Sequence, residues 1–188
     1  MRRGSGSVGN STIRKTGNVH NPSFWQECRR ESDTFHICDG NVRLFGWTYR
    51  GCPYLEIAEW LSRYSVQATA NLVQMWQRIV FNIAISNCDD HLQNYGFLLT
   101  KKGWRLSLAY DLNLSYCGGE LSLNITENDN SLDMDLAREV ALFFGVAEKE
   151  TEAIIDKVCE VVSSWRRVAS RLGIAREEHD MMAKAFGE

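Results

Sequence analysis

Apolar residues recur at helical spacing over most of the chain beyond residue 53. The strongest pattern lies between Thr69 and Ile85, where Leu72, Val73, Met75, Trp76, Ile79, Val80 and Ile83 form a stripe too broad for a helix with one wet side. It predicts a helix buried on most sides, at the centre of the domain. Just upstream, after Gly51-Cys52-Pro53, Leu55, Ile57, Ala58 and Leu61 place a helix over Tyr54 to Tyr64. Downstream, Tyr95 to Thr100 and Trp104 to Leu108 are two β-type runs around Lys101-Lys102-Gly103, the pattern of a hairpin that ends in Ala109-Tyr110-Asp111-Leu112-Asn113.

The C-terminal third reads as helical. Ser131 is the expected N-cap of a helix through Phe144, stopped by Gly145. A longer helix is predicted from Lys149 to Leu172, with Ile154, Ile155, Val158, Val161, Val162, Trp165, Val168 and Leu172 on its apolar face and Gly173 at its end. A last helix is expected over Arg176 to Phe186. Before residue 53 the pattern weakens. Phe35-His36-Ile37 and Val42-Arg43-Leu44-Phe45 read as short strands or irregular packing segments. Residues 1–22 read as a flexible basic arm and 23–52 as an irregular N-terminal segment, with the main domain at 53–188. The fold class expected is mainly α, with a small β-hairpin inserted after the central helix.

Composition narrows the function classes. The 188 residues are 44% hydrophobic and 24% charged, globular values for one domain of ordinary size. Lys and Arg number 21 against 24 Asp and Glu, a net charge of −3, so direct nucleic-acid binding is not expected. Six cysteines stand singly with no C-x-x-C pair, and no apolar run follows the first arginines as in a signal peptide. Free thiols in a cytoplasmic protein without a membrane span are the simplest reading.

Candidate chemistry concentrates in Asn87-Cys88-Asp89-Asp90-His91-Leu92-Gln93-Asn94, a polar segment directly after the buried helix. Polar groups held against a core are costly unless hydrogen-bonded, so the loop is either a well-satisfied capping turn or functional. Spacing favours function. Protein kinases use D-x-x-x-x-N, in which the Asp accepts the substrate hydroxyl proton and the Asn amide oxygen reaches Mg²⁺, followed by a second Mg²⁺-binding Asp. Asp89 and Asn94 have that spacing, a hairpin follows, and Asp111 lies at its far end. One carboxylate and one amide oxygen suit Mg²⁺, whose shell ATP phosphates and waters complete. Asp89 is favoured over Asp90 as the base because only Asp89 has an Asn five residues on. His91 either orients the loop, contacts a phosphate, or is satisfied by a backbone carbonyl. A zinc site of Cys88, His91 and Cys117 with Asp89 or Asp111 is the competing metal reading, although its spacings match no common zinc pattern.

The stretch WQRIVFNIAISNCDDHLQNYGFLLTKKGWRLSLAYDLN, Trp76 to Asn113, resembles the core signature of the HipA-like serine/threonine kinases, bacterial proteins often found as the toxin of a toxin–antitoxin pair. The similarity extends to Tyr54-Leu55-Glu56-Ile57-Ala58-Glu59 upstream. Downstream it takes in Leu121-Ser122-Leu123, the Asp133–Gly145 helix and Ser164-Trp165-Arg166, or about residues 40–188 in all. It implies a kinase C-terminal lobe in which Asp89 is the catalytic base, His91 belongs to the same loop, and Asn94 and Asp111 hold Mg²⁺ against ATP. The family loop commonly has Thr or a small residue where Cys88 stands. The resemblance also implies a protein substrate, in the family from the translation machinery, and a HipB-like antitoxin or a separately encoded N-terminal lobe as partner. No Gly-rich loop followed by a lysine-bearing strand occurs, so most of the nucleotide lobe is expected to be missing, with 23–52 as a remnant of the inter-lobe region. The alternative is a catalytically inactive remnant that acts as a protein-binding or regulatory module.

Overall fold

The computed structural model describes residues 53–115 and 119–186, together with the backbone of two short strands upstream; all of them fall in the unit Phe35–Glu188. The arm at 1–22, most of 23–52, Trp25, Trp47 and Cys117 lie outside the described residues. Strands β1 (Ile37–Cys38) and β2 (Val42–Arg43) occupy the two short apolar runs. Helices α1 (Pro53–Tyr64) and α2 (Ala68–Ala84) precede β3 (Phe97–Thr100) and β4 (Gly103–Leu106). Then follow α3 (Met134–Val140), α4 (Glu148–Ser163), α5 (Trp165–Arg171) and α6 (Arg176–Ala183). The domain is mainly α, as the periodicity predicts. The hairpin is larger in context than expected: β1-β2-β3-β4 form one antiparallel sheet, with Val42 opposite Leu98 and Phe97 opposite Leu106.

Helix α2 is the centre of the core. Met75, Trp76, Ile79 and Val80 are fully buried, and α1, β4, α3 and α4 all pack against it. Trp60 of α1 sits with its ring 4.3 Å from Phe97 and 5.8 Å from Trp104, which locks the first helix onto the hairpin. Among the described residues, Trp76, Trp104 and Trp165 are buried packing groups.

The turn between β3 and β4 depends on a glycine. Gly103 has φ +126°, and a Cβ placed there would lie 2.6 Å from Val66 Cγ1. Gly103→Ala therefore combines backbone strain with overpacking and is expected to cost about 2–4 kcal/mol. Urea denaturation checks it: adding Val66→Ala restores only the overpacking share, and an unchanged midpoint in Gly103→Ala alone would refute the close approach.

Three expectations need correction. The N-cap of α3 is Asp133, whose carboxylate accepts from the Asp135 N–H at 2.8 Å, while the N–H of Ser131 is tied to the Asp129 side chain. After Val140 that helix tightens into a 3₁₀ turn, Ala141–Phe144, ended by Gly145 at φ +70° as anticipated. The β-run predicted to reach Leu108 stops at Leu106, and Leu108 is exposed.

The third correction is the helix expected over Lys149 to Leu172, which is two helices broken at Ser164. Ser163 and Ser164 both turn their hydroxyls back onto carbonyls three residues earlier, at 2.8 Å, which competes with the helical ladder. Beyond the break Trp165 starts a second cluster with Ala169 and Ala183, against which Ile174, Met182 and Phe186 pack. Val161, before the break, and Val168 and Leu172, after it, are exposed, although predicted to be inside.

Candidate active site

Helix α2 ends in a way that launches the polar loop. The N–H of Asn87 reaches the Asn82 carbonyl at 2.8 Å and that of Ser86 the Ile83 carbonyl at 3.1 Å, the paired bonds of a Schellman motif. The left-handed position in that motif usually holds glycine, but here Ser86 takes it at φ +52°. Its carbonyl accepts from the N–H groups of Cys88 and Ser115, and these bonds hold the chain in the costly conformation.

The two neighbouring aspartates of the loop then take opposite environments. Asp89 is exposed, whereas Asp90 is 1% exposed. Leu92–Asn94 forms a 3₁₀ turn in which Asn94 is buried, and its Nδ2 donates to the backbone carbonyl of Asp89 at 3.3 Å. That bond joins the two ends of the D-x-x-x-x-N spacing and leaves Oδ1 as the amide atom for a cation. His91 is half-buried, and its Nδ1 is buried with no hydrogen-bond partner.

Asp111 is exposed, also in the left-handed region at φ +56°, and its Oδ1 accepts from Asn113 Nδ2 at 2.6 Å. Its neighbours, rather than its own side chain, bring it to the loop. One residue before it, the Tyr110 hydroxyl donates to the Gln93 carbonyl at 2.7 Å. Four residues after it, the Ser115 hydroxyl accepts from the Cys88 N–H at 3.1 Å, and the Ser115 N–H reaches the Ser86 carbonyl. The segment bearing Asp111 is thus tied at both ends to the loop bearing Asp89 and Asn94. A third segment joins it where the Ser122 hydroxyl donates to the Cys88 carbonyl at 2.6 Å. Ser86 and Asp111 are the two non-glycine residues at positive φ among the described residues, and both belong to this assembly.

Beneath the loop lies a polar network that sequence reasoning missed. The hydroxyls of Tyr54, from the start of α1, and Tyr95 both donate to Asp90 Oδ2. Asn82 Nδ2 approaches the Tyr95 oxygen at 3.3 Å, and Asn87 Nδ2 donates to Asn82 Oδ1 at 3.1 Å. Burial holds the Asp90 carboxyl above the ordinary carboxylate range, opposed by hydrogen bonds from Tyr54, Tyr95 and Asn82. Burial also pushes both tyrosine hydroxyls far above their usual value, so both remain donors at neutral pH. One turn earlier on α2, buried Arg78 donates from Nη2 to the Ser107 carbonyl, fixing the start of the Asp111 segment. Its Nε and Nη1 are buried without hydrogen-bond partners. Burial lowers its pKa. The sequence did carry one signal for this seam. Arg78 and Asn82 interrupt a broad apolar stripe four residues apart, on one helix face.

The amide oxygen of Asn94 and the carboxylates of Asp89 and Asp111, on segments tied together, are donor types that a hard divalent cation takes. No cluster of three His, Cys, Asp or Glu side chains able to hold a metal occurs among the described residues, and Cys117, a member of the competing zinc set, lies outside them. No helix of the described residues is long and apolar enough to cross a membrane.

The model of the HipA-like C-terminal domain family matches residues 30–165. A curated protein of Sinorhizobium fredii (strain NBRC 101917 / NGR234), named "Putative kinase Y4mE", is 21% identical over 155 residues, covering 77% of this chain and 34% of that protein. The chain therefore spans about a third of the length of the curated relative it matches.

Proposed function

The chain belongs to the HipA-like C-terminal domain family, and from that premise we propose that it is the catalytic lobe of a serine/threonine protein kinase using Mg²⁺ and ATP. The observation that carries the reading is the double tethering of the Asp111 segment to the Asp89–Asn94 loop through Tyr110 and Ser115. It supports the reading because Asp89 as the proposed base and Asn94 and Asp111 as the proposed metal-seeking residues then share one scaffold, which is what phosphoryl transfer asks of a protein.

In this reading the exposed Asp89 carboxylate accepts the proton of the attacking hydroxyl. Asn94, anchored through Nδ2 to the Asp89 carbonyl, offers Oδ1 to Mg²⁺, and Asp111 offers a carboxylate oxygen. When bound, Mg²⁺ neutralises charge on the ATP phosphates. His91 orients the loop or meets a phosphate. Adenine contacts come from sequence outside residues 53–186, in this chain, in a longer protein or in a separately encoded lobe. The acceptor is a hydroxyl on a protein, with the translation machinery as the family's target class and a HipB-like antitoxin as the partner. The cytoplasm is the compartment in which those partners occur.

Calorimetry of the purified chain with Mg·ATP, followed by transfer of labelled γ-phosphate to protein hydroxyls, tests the proposal. Saturable binding that requires the metal supports it. Background affinity, alone and with a candidate nucleotide lobe added, would favour the non-catalytic docking module instead.

A further inference from the structure

Asp90 has no place in the transfer chemistry, yet it is the most deeply buried carboxylate of the loop, at 1% exposure. An unpaired buried carboxylate is a costly way to fill a core position, and an apolar side chain would occupy it at less expense. What the carboxylate does instead is join segments. One oxygen, Oδ2, accepts from Tyr54 on α1 and from Tyr95 just past the loop, 36 and 5 residues away. The two rings meet edge to face at 6.0 Å and are themselves 0% and 2% exposed. Asn82 and Asn87 continue the network to the end of α2. Asp89 is exposed where its neighbour Asp90 is buried, so pinning residue 90 inward leaves residue 89 outward. Pinning Tyr95 also fixes the position of its neighbour Asn94.

We propose that Asp90 is a positioning residue: its buried carboxylate, gripped by the Tyr54 and Tyr95 hydroxyls, clamps the Asn87–Asn94 loop to α1 and so presents Asp89 outward with Asn94 seated on its carbonyl. The catalytic purpose of the clamp rests on the kinase reading above; the clamp itself does not.

Hydrogen exchange of the full chain separates the two. Tyr54→Phe removes one hydroxyl and keeps the ring. It is expected to speed exchange at the Asn94 and Tyr95 amides about tenfold or more, the loss of one hydrogen bond to a charged group, while α4 amides keep their wild-type rates. Asp90→Asn retains an acceptor for both hydroxyls and stays within about threefold of wild type at the same amides; Asp90→Leu exceeds Tyr54→Phe. Unchanged loop exchange in Tyr54→Phe overturns the clamp, as does a uniform rise that includes α4, since the hydroxyl would then only hold the fold together. The second arm is Mn²⁺·ATP affinity, expected to weaken at least about threefold in Tyr54→Phe and to return in Asp90→Asn. A loosened loop that binds Mn²⁺·ATP with wild-type affinity overturns the positioning role. A wild-type chain that binds none, alone and with a candidate nucleotide lobe added, overturns the kinase reading, and the exchange data still decide the clamp.

Discussion

Asp89→Asn is expected to lower phosphoryl transfer by about 10²–10⁴-fold, the usual contribution of a positioned general base, with Mg·ATP affinity kept within about twofold. The separation follows from where Asp89 sits. Its carboxylate is exposed, so an isosteric change should move stability by no more than about 0.5 kcal/mol. The bond that seats Asn94 uses the Asp89 backbone carbonyl, which the substitution leaves in place. A loss of transfer at constant affinity and constant melting temperature therefore reports a missing proton acceptor and nothing else. Asp111→Asn serves as the contrast. Asn tolerates the left-handed φ of +56° as Asp does, so the backbone is preserved while the charge is lost. The expected result is a rise of about tenfold or more in the Mg²⁺ concentration needed for ATP binding, the mark of a weakened hard-cation ligand. Equal activity of Asp89→Asn and the wild type would remove Asp89 from the mechanism. Indifference of Asp111→Asn to metal concentration would remove Asp111 from the cation site.

How much of this was legible beforehand depends on the length scale of each feature. Helix α2 was readable because seventeen residues of one period outweigh any local ambiguity, and its observed span differs from the expected one by a residue at each end. The loop could be singled out because D-x-x-x-x-N is a local spacing, and in the structure its two ends are bonded. Asp133 as a cap was missed because Ser131 and Asp133 offer the same chemistry two residues apart, and the choice fell to the bond between Asp129 and the Ser131 N–H. The break at Ser164 was missed because an apolar repeat continued through it. Periodicity reports where apolar groups lie and is silent on hydroxyls that bond their own backbone. The Asp90 clamp was illegible for a different reason. Its partner Tyr54 lies 36 residues away, and nothing about an isolated tyrosine announces which carboxylate it will meet. The same holds for the tethers through Tyr110 and Ser115, although they join the segments that carry the candidate residues.

Trp76→Ala is expected to cost about 3–5 kcal/mol, about a fifth or more of the stability of an ordinary domain. Trp76 is fully buried on α2, and its indole Nε1 donates to the Ala137 carbonyl of α3 at 2.8 Å. Truncation empties the largest volume on that face of the helix and also strips a hydrogen bond from a carbonyl in the core, so the cavity and the desolvated acceptor act together. Trp76→Phe divides the two contributions: it keeps most of the packing and loses the N–H, at about 1–3 kcal/mol. Both are measured by urea denaturation at equal slope, since a changed slope would signal a looser denatured or native state rather than a lost contact. The consequence reaches the site, because α2 delivers the loop through the Asn82 and Asn87 bonds at its end. At temperatures where Trp76→Ala remains folded, the loop amides should still be protected. A midpoint for Trp76→Ala within about 1 kcal/mol of wild type would mean that α2 is not the element on which the domain closes.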